Sequence, residues 1–306
     1  MTRRNRPQRA ASGITQRPFK QIEVPYSFIE IISTDQVMAI HDTALTILEE
    51  IGFKVLSDRA RTLYQSGGAE IEPGSDRVRF PRGMVMNWIA KAPDRFILQA
   101  RDPAKTVKVG ARHCIFSSVG GPAYVCDLDK GRRPGTFAEQ CDYLKLVQSL
   151  NVLHQEGGGP FEALDLDPRT RHLDLYYAQA TLLDKNWQPQ GLGSSVALDA
   201  LDMAAISLGR SREDMLDTCV FTTIINTNSP LQLDIPMAEG LITMAEHGQC
   251  NVITPFTLSG AMSPVTIAGA LAQQHAEAMA GIVLTQIVRP GVPVMYGGFT
   301  SNVDMK

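Results

Sequence analysis

CNVITPFTLSGAMSPVTIAGALAQQHAEAMAGIVLTQIVRPGVPVMYGGF, which runs from Cys250 to Phe299, is the stretch of sequence that decides the fold. An apolar run from Cys250 to Leu258 predicts a strand that ends in the turn-forming letters SGAMSP. A helix is predicted from Thr266 to Val288, and a second strand from Pro293 to Phe299. Because both strands are apolar and a helix joins them, they are expected to pair in parallel through a right-handed crossover.

The same strand-helix unit recurs upstream of this stretch. Strands are predicted to start near residues 151, 187, 219, 250 and 293, which are 36, 32, 31 and 43 residues apart. This spacing is typical of a βα repeat, and a strand near Cys114 brings the candidates to six, whereas a closed barrel of this type needs eight. The predicted fold class is therefore α/β, a TIM (β/α)8-type barrel that is incomplete, with about six βα units. A complete doubly wound open sheet is the alternative, although no G-x-G-x-x-G follows the first strand.

Two further regions precede the predicted barrel of residues 126–306. Residues 25–125 are expected to form a small mixed α+β layer, because Ser33 and Gln36 have the spacing of a helix capping box and PGSD at Pro73–Asp76 suits a hairpin. Residues 1–24 are predicted to be a disordered basic tail, since the first 20 residues hold six Lys or Arg and no acid. A transit peptide or a nucleic-acid-binding arm is the alternative for this tail.

Composition and charge exclude several classes of protein. The net charge is −3, and subtracting the +6 of the tail leaves −9 on the remainder, so the body is not expected to bind nucleic acid. No apolar run approaches the roughly 20 residues that span a membrane. The five cysteines are scattered, without CxxC, HExxH or a Cys/His cluster, so no metal site is expected. Reduced thiols and a cytoplasmic location follow from the same pattern.

Polar and aromatic side chains are expected at the carboxyl ends of the predicted strands, where barrel enzymes hold their sites. Alternation along each strand places a set of them on one face, and we predict that they bind substrate: Glu156, Gln190, Asn226, Phe256, Tyr296 and Thr300. One carboxylate among amides and aromatic rings suits a cation better than a phosphate. For each residue taken singly, a structural role is the alternative.

The segment ITPFTLSGAMSPVTIAGALAQQHAEAMAGIVLTQIVRPGVPVMYGGFTSNVDMK at Ile253–Lys306 resembles the trimethylamine–corrinoid protein methyltransferase family, which includes glycine betaine-type members without pyrrolysine. HDTALTILEEIGFKV at His41–Val55, QGLGSS at Gln190–Ser195 and NTNSPL at Asn226–Leu231 are similar to the same family. The resemblance covers about residues 25–306. It implies a TIM barrel that moves a methyl group from a tertiary or quaternary methylated amine, such as trimethylamine or glycine betaine, to the Co(I) of a corrinoid protein.

The resemblance also carries expectations about cofactor, partners and completeness. The corrinoid (cobalamin) is carried by a cognate partner protein, and this chain binds no cofactor tightly. Family members continue beyond Lys306, which implies that the chain is truncated at its C-terminus and that the catalytic, pyrrolysine-bearing position lies further on. The fragment alone is then expected to be inactive, and the full-length form to be a homo-oligomer. The alternative function is a non-catalytic fragment or split-gene piece that only binds a ligand or partner.

Overall fold

The N-terminal part of the chain forms a layer of short strands and helices. The structure is a computed structural model that describes residues 15–302. The strands of this part are β1 (Ile22–Glu23), β2 (Phe53–Val55), β3 (Glu70–Ile71), β4 (Arg77–Arg79), β5 (Arg95–Leu98), β6 (Val107–Gly110), β7 (His113–Cys114), β8 (Val125–Asp127) and β9 (Gly131–Arg133). Its helices are α1 (Thr34–Thr46), α2 (Asp58–Ser66) and α3 (Arg82–Ile89). The capping box of Ser33 and Gln36 begins α1, and β3 and β4 form the antiparallel hairpin predicted at PGSD.

The larger C-terminal part alternates helices with strands. The helices are α4 (Phe137–Ser149), α5 (Arg171–Leu182), α6 (Ser194–Leu208), α7 (Ile235–Glu246) and α8 (Ile267–Val288). The strands are β10 (Thr222–Ile225), β11 (Gln232–Leu233), β12 (Cys250–Ile253), β13 (Leu258–Ser259), β14 (Val294–Tyr296) and β15 (Ser301–Asn302). The longest helix, α8, lies where it was predicted, and the Thr266 hydroxyl accepts a hydrogen bond from Gly269 N at 3.3 Å to cap it.

Parallel pairing between the main strands is confirmed. β10, β12 and β14 form one parallel sheet, in which Thr222 lies opposite Cys250. Further upstream, Ser117, Gln155 and Asn186 are connected by single parallel bridges rather than by a ladder. Pro189 and the glycine run after Gln155 give a physical reason, because proline lacks an N–H and glycine weakens a strand. The predicted parallel α/β arrangement is therefore found. Within residues 15–302 the strands do not close into a barrel, and the incomplete TIM barrel stays a prediction.

The N-terminal layer shares a core with the larger part rather than standing apart from it. β11 pairs in parallel with β2, which gives a sheet in the order β11-β2-β4-β3. The hydroxyl of Tyr64 in α2 donates to Ala280 O in α8 at 2.9 Å, and α1 and α3 pack on the same helix. With the parallel sheet on one side and this layer on the other, α8 is buried around most of its circumference. That is why its apolar residues are spread around the helix rather than confined to one stripe.

Part of the predicted disordered tail lies against the body of the protein. Gln16 donates to Ser149 O and accepts from Asn151 N, each at 2.8 Å, and β1 pairs with β7. The ring of Phe19 meets the ring of His154 edge-on at 5.3 Å. Residues 15–23 therefore contact the body through a few side chains although most of them are exposed, and residues 1–14 lie outside the described part. No helix of residues 15–302 has the length and apolar character required to cross a membrane.

Candidate functional site

A cavity of about 640 Å³ lies at the carboxyl ends of the parallel strands. Asn226 follows β10, Phe256 follows β12 and Phe299 follows β14, and all three line this cavity. The loops after the bridged segments at Gln155 and Asn186 supply the facing wall, with Gly157, Gly158, Gly159, Gln188 and Gln190. Its position and volume are those of a pocket for a small molecule.

Three of the six residues predicted to bind substrate line the cavity. They are Gln190, Asn226 and Phe256. The backbone N–H of Gln190 donates to the Tyr176 hydroxyl at 3.0 Å, which fixes the chain at this point of the wall. Burial raises the pKa of Tyr176, so its hydroxyl stays protonated and neutral.

The other three predicted residues lie elsewhere. Glu156 is fully buried behind the wall, Tyr296 packs edge-on against His275 at 5.6 Å, and Thr300 donates to Gln274 beside a separate groove. Alternation assumes an extended strand, but the chain turns directly after Glu156, which directs this side chain beneath the turn. The Glu156 side chain therefore lies behind the wall, and its direct contact with substrate stays a prediction.

Glu156 organises the turn that replaces the expected strand end. Its carboxylate accepts from Gly158 N at 3.0 Å, from Gly159 N at 2.7 Å and from the Gln179 amide at 2.6 Å. Burial raises the pKa of Glu156, and these hydrogen bonds oppose the rise. Gly158 and Gly159 have φ of +94° and +93°, a region that L-residues with side chains rarely adopt. The turn therefore depends on glycine, and it forms a wall without side chains.

Sequence reasoning missed a charged pair in the cavity wall. Arg171 Nε lies 2.8 Å from Glu162 Oε2, and the two side chains keep 27% and 34% of their surface exposed. The pair is therefore partly open to whatever occupies the cavity. Glu162 stands in the loop after the glycine turn and Arg171 begins α5, so neither belongs to the strand ends on which the prediction was based. In the sequence, the one feature that could have indicated them is that both are charged residues shortly after the glycine run.

A histidine and an aromatic pair complete the wall. His172 lines the cavity, and its Nε2 lies 2.8 Å from Asp199 Oδ2. The rings of Phe256 and Phe299 stack with centroids 4.9 Å apart and planes 17° from parallel. The cavity thus combines an aromatic surface, neutral amides and adjacent opposite charges. In residues 15–302 no group of three or more His, Cys, Asp or Glu side chains is arranged to hold a metal ion.

Comparison with known proteins identifies the family. The pattern of the trimethylamine methyltransferase (MTTB) family matches residues 1–306. Glycine betaine methyltransferase of Desulfitobacterium hafniense (strain Y51) is 32% identical over 276 residues, covering 90% of this chain and 57% of that protein. Trimethylamine methyltransferase MttB1 of Methanosarcina mazei is 24% identical, covering 91% and 57%, and a proline betaine:corrinoid methyltransferase of Eubacterium limosum is 25% identical, covering 90% and 57%.

The chain spans 57% of the length of each of these three relatives. A crystal structure of the hydroxylamine MtmB complex superposes with a TM-score of 0.49 at 12% sequence identity, covering 87% of this chain and 58% of that one. The match of the family pattern over the whole chain, together with the relative at 32% identity, is decisive. The chain belongs to the trimethylamine methyltransferase family.

Proposed function

We propose that the protein takes part in moving a methyl group from a methylated amine, best a quaternary amine with a carboxylate, to the cobalt of a corrinoid carried by a partner protein. The observation that carries this proposal is the cavity wall, in which the stacked rings of Phe256 and Phe299 accompany the Glu162–Arg171 pair. The names of two relatives support it, since one acts on glycine betaine and the other pairs proline betaine with a corrinoid.

Each end of such a zwitterion finds a matching group in the wall. A trimethylammonium group has no N–H to donate, so it is held by aromatic faces and by nearby negative charge rather than by hydrogen bonds. The guanidinium of Arg171 offers planar donors to a carboxylate. Neutral amides such as Gln190 and Asn226 line the remaining surface without adding charge.

The reaction asks little acid–base chemistry of the residues. The C–N bond of a quaternary ammonium breaks with its electron pair left on nitrogen, and a neutral tertiary amine departs. Co(I) of the partner's corrinoid supplies the nucleophile that accepts the methyl group. The residues of this chain therefore have to bind the cation, orient one methyl group and exclude water. Phe256 and Phe299 supply the apolar surface on which the methyl groups can rest.

Binding calorimetry with glycine betaine and choline tests the substrate assignment. Choline keeps the trimethylammonium group and lacks the carboxylate. Arg171→Gln should weaken betaine binding about 10- to 100-fold, the range for losing a charge-assisted hydrogen bond, without weakening choline binding. Arg169→Gln is the matched control, because Arg169 is 86% exposed and pairs with Asp167 outside the cavity.

The transfer itself is measured in a full-length form, by adding cob(I)alamin and following the absorption change as the cobalt becomes methylated. Methylation with betaine but not with glycine is the expected result there, whereas the 306-residue chain alone is expected only to bind. Absence of betaine binding by the unmodified chain would overturn the proposal, and so would equal betaine affinities of the Arg171→Gln and Arg169→Gln variants.

A further inference from the structure

Glu277 is a fully buried carboxylate at the middle of α8. Its Oε1 accepts from Leu231 N at 2.9 Å and from the Gln273 amide at 3.0 Å. Its Oε2 accepts from the hydroxyls of Ser229 at 2.8 Å and Thr227 at 2.5 Å. Four donors therefore surround two oxygens, and that is the full complement which an ionised carboxylate accepts.

The negative charge of Glu277 is not neutralised by an ion pair. Within residues 15–302, no Lys, Arg or His nitrogen pairs with its carboxylate, and its four partners are all neutral groups. The backbone N–H of Leu231 can only donate. The Gln273 atom that faces Glu277 is the amide nitrogen, which also donates to Met262 O at 2.9 Å. The arrangement hence suits the ionised form, and a buried charge without a counter-ion projects its field through the low-dielectric protein around it.

The charge lies directly behind the cavity wall. Thr227, which donates to Glu277, is the residue after Asn226 of the wall. Ser229, which also donates to it, shares a hydrogen bond of 3.3 Å with Thr257, the residue after Phe256 of the wall. One hydrogen bond thus connects Glu277 to the segment after β10, which presents Asn226. Two hydrogen bonds in sequence connect it to the segment after β12, which presents Phe256.

We propose that Glu277 determines the preference of the cavity for cations, by placing a fixed negative charge behind the wall at Asn226 and Phe256. This inference rests on the proposed function, because it concerns the same cavity and the same methylated ammonium. Glu277 does not touch the substrate. It acts through space and positions the loop from Thr227 to Leu231, so it differs from Glu162, which lines the cavity.

Coulomb's law gives the size of the effect. At an effective dielectric constant of about 20 and a separation of about 10 Å, a unit charge contributes roughly a tenfold preference for a cation over a neutral molecule of the same shape. Because the carboxylate is buried, salt screens this contribution less than it screens an exposed pair.

The test compares two ligands that differ only in charge. Glycine betaine and 3,3-dimethylbutanoate share the carboxylate and three methyl groups, but the second has carbon in place of the charged nitrogen. Glu277→Gln keeps the shape of the side chain and removes its charge. We expect the ratio of the two affinities, measured by calorimetry, to fall about tenfold in this variant. Thr227→Val is the control, since it disturbs the same loop and leaves the charge in place. It should change both affinities alike and preserve the ratio.

The outcomes separate the two proposals. If the unmodified protein prefers betaine but the ratio is unchanged in Glu277→Gln, the role of Glu277 is overturned and the proposed function stands. A ratio that falls equally in Thr227→Val would assign the effect to loop geometry and would likewise overturn it. If the unmodified protein binds both ligands equally, or neither, cation recognition by this cavity is wrong and both proposals fail.

Discussion

Gly120→Ala should lower the free energy of unfolding, because the added methyl group would displace the glycine turn of the cavity wall. A Cβ at Gly120 would lie 1.8 Å from Gly157 O, whereas carbon–oxygen contacts in proteins are about 3.3 Å or longer. The two segments would have to separate by about 1.5 Å. Two hydrogen bonds connect them at this point, from Gly157 N to Ser118 Oγ at 3.0 Å and from Gly121 N to Gly159 O at 3.1 Å.

The expected loss follows from these contacts. Overpacking of this kind costs about 1–3 kcal/mol, and each weakened hydrogen bond adds up to about 1 kcal/mol. We therefore expect the free energy of unfolding to fall by about 2–4 kcal/mol. Urea titrations that monitor the fluorescence of the buried Trp187 measure this change. Because Gly120 does not have a positive φ, alanine suits its backbone conformation, and the clash alone is measured.

Gly83→Ala is the matched control. Gly83 is the second residue of α3, its φ is not positive, and a Cβ there meets no atom within 4 Å. Alanine in a helix should leave the free energy of unfolding unchanged or raise it by up to about 1 kcal/mol. Similar unfolding curves for the two variants would refute the close approach of Gly120 and Gly157.

Two further predictions concern buried polar side chains. Burial lowers the pKa of Lys185 to about 8 from its ordinary 10.5. Between pH 8 and pH 10.5, Lys185 is therefore protonated in the unfolded chain and has lost its proton in the folded chain. The free energy of unfolding should rise by up to about 3 kcal/mol over this range. Lys185→Met should lack this rise in urea titrations at several pH values, and a constant difference between the two proteins would contradict it. Tyr64→Phe removes the buried hydrogen bond to Ala280 and should lower the free energy of unfolding by about 1–2 kcal/mol in the same assay. Tyr177→Phe is the control, because Tyr177 is 61% exposed, and it should lower this free energy by less than about 0.5 kcal/mol. Equal losses in the two variants would contradict the role of this hydrogen bond.

Local signals made several parts of the fold predictable from the sequence. The cap at Ser33 and the hairpin at Pro73–Asp76 depend on neighbouring residues, and both were found where expected. The helix from Ile267 to Val288 was equally clear, because a long apolar stretch between a capping Thr and a proline allows few alternatives. The parallel direction of the strands followed from the helices between them, and the ladder of β10, β12 and β14 agrees with it.

Contacts between distant residues were not predictable in this way. β2 and β11 pair although Lys54 and Gln232 are far apart in sequence, and no local pattern indicates that partnership. Strand alternation predicts Glu156 on the cavity face, whereas the structure has it behind the wall, because alternation cannot account for a turn that begins at the next residue. Glu162 and Arg171 escaped notice for the same physical reason, since loop residues have no periodicity from which their direction can be inferred.

The two carboxylates near the cavity, Glu277 and Glu162, each keep a permanent partner, and this matters for the release of the product. A carboxylate in direct contact with a trimethylammonium group gains no hydrogen bond from it, and it loses its counter-charge when the nitrogen becomes a neutral tertiary amine. Glu277 avoids that loss, because its four donors stay in place whether the cavity holds a cation, a neutral amine or water. Glu162 avoids it differently, since Arg171 remains beside it. A cavity built in this way attracts the quaternary ammonium group, and neither Glu277 nor Glu162 loses a hydrogen-bond partner when the product with its neutral nitrogen departs.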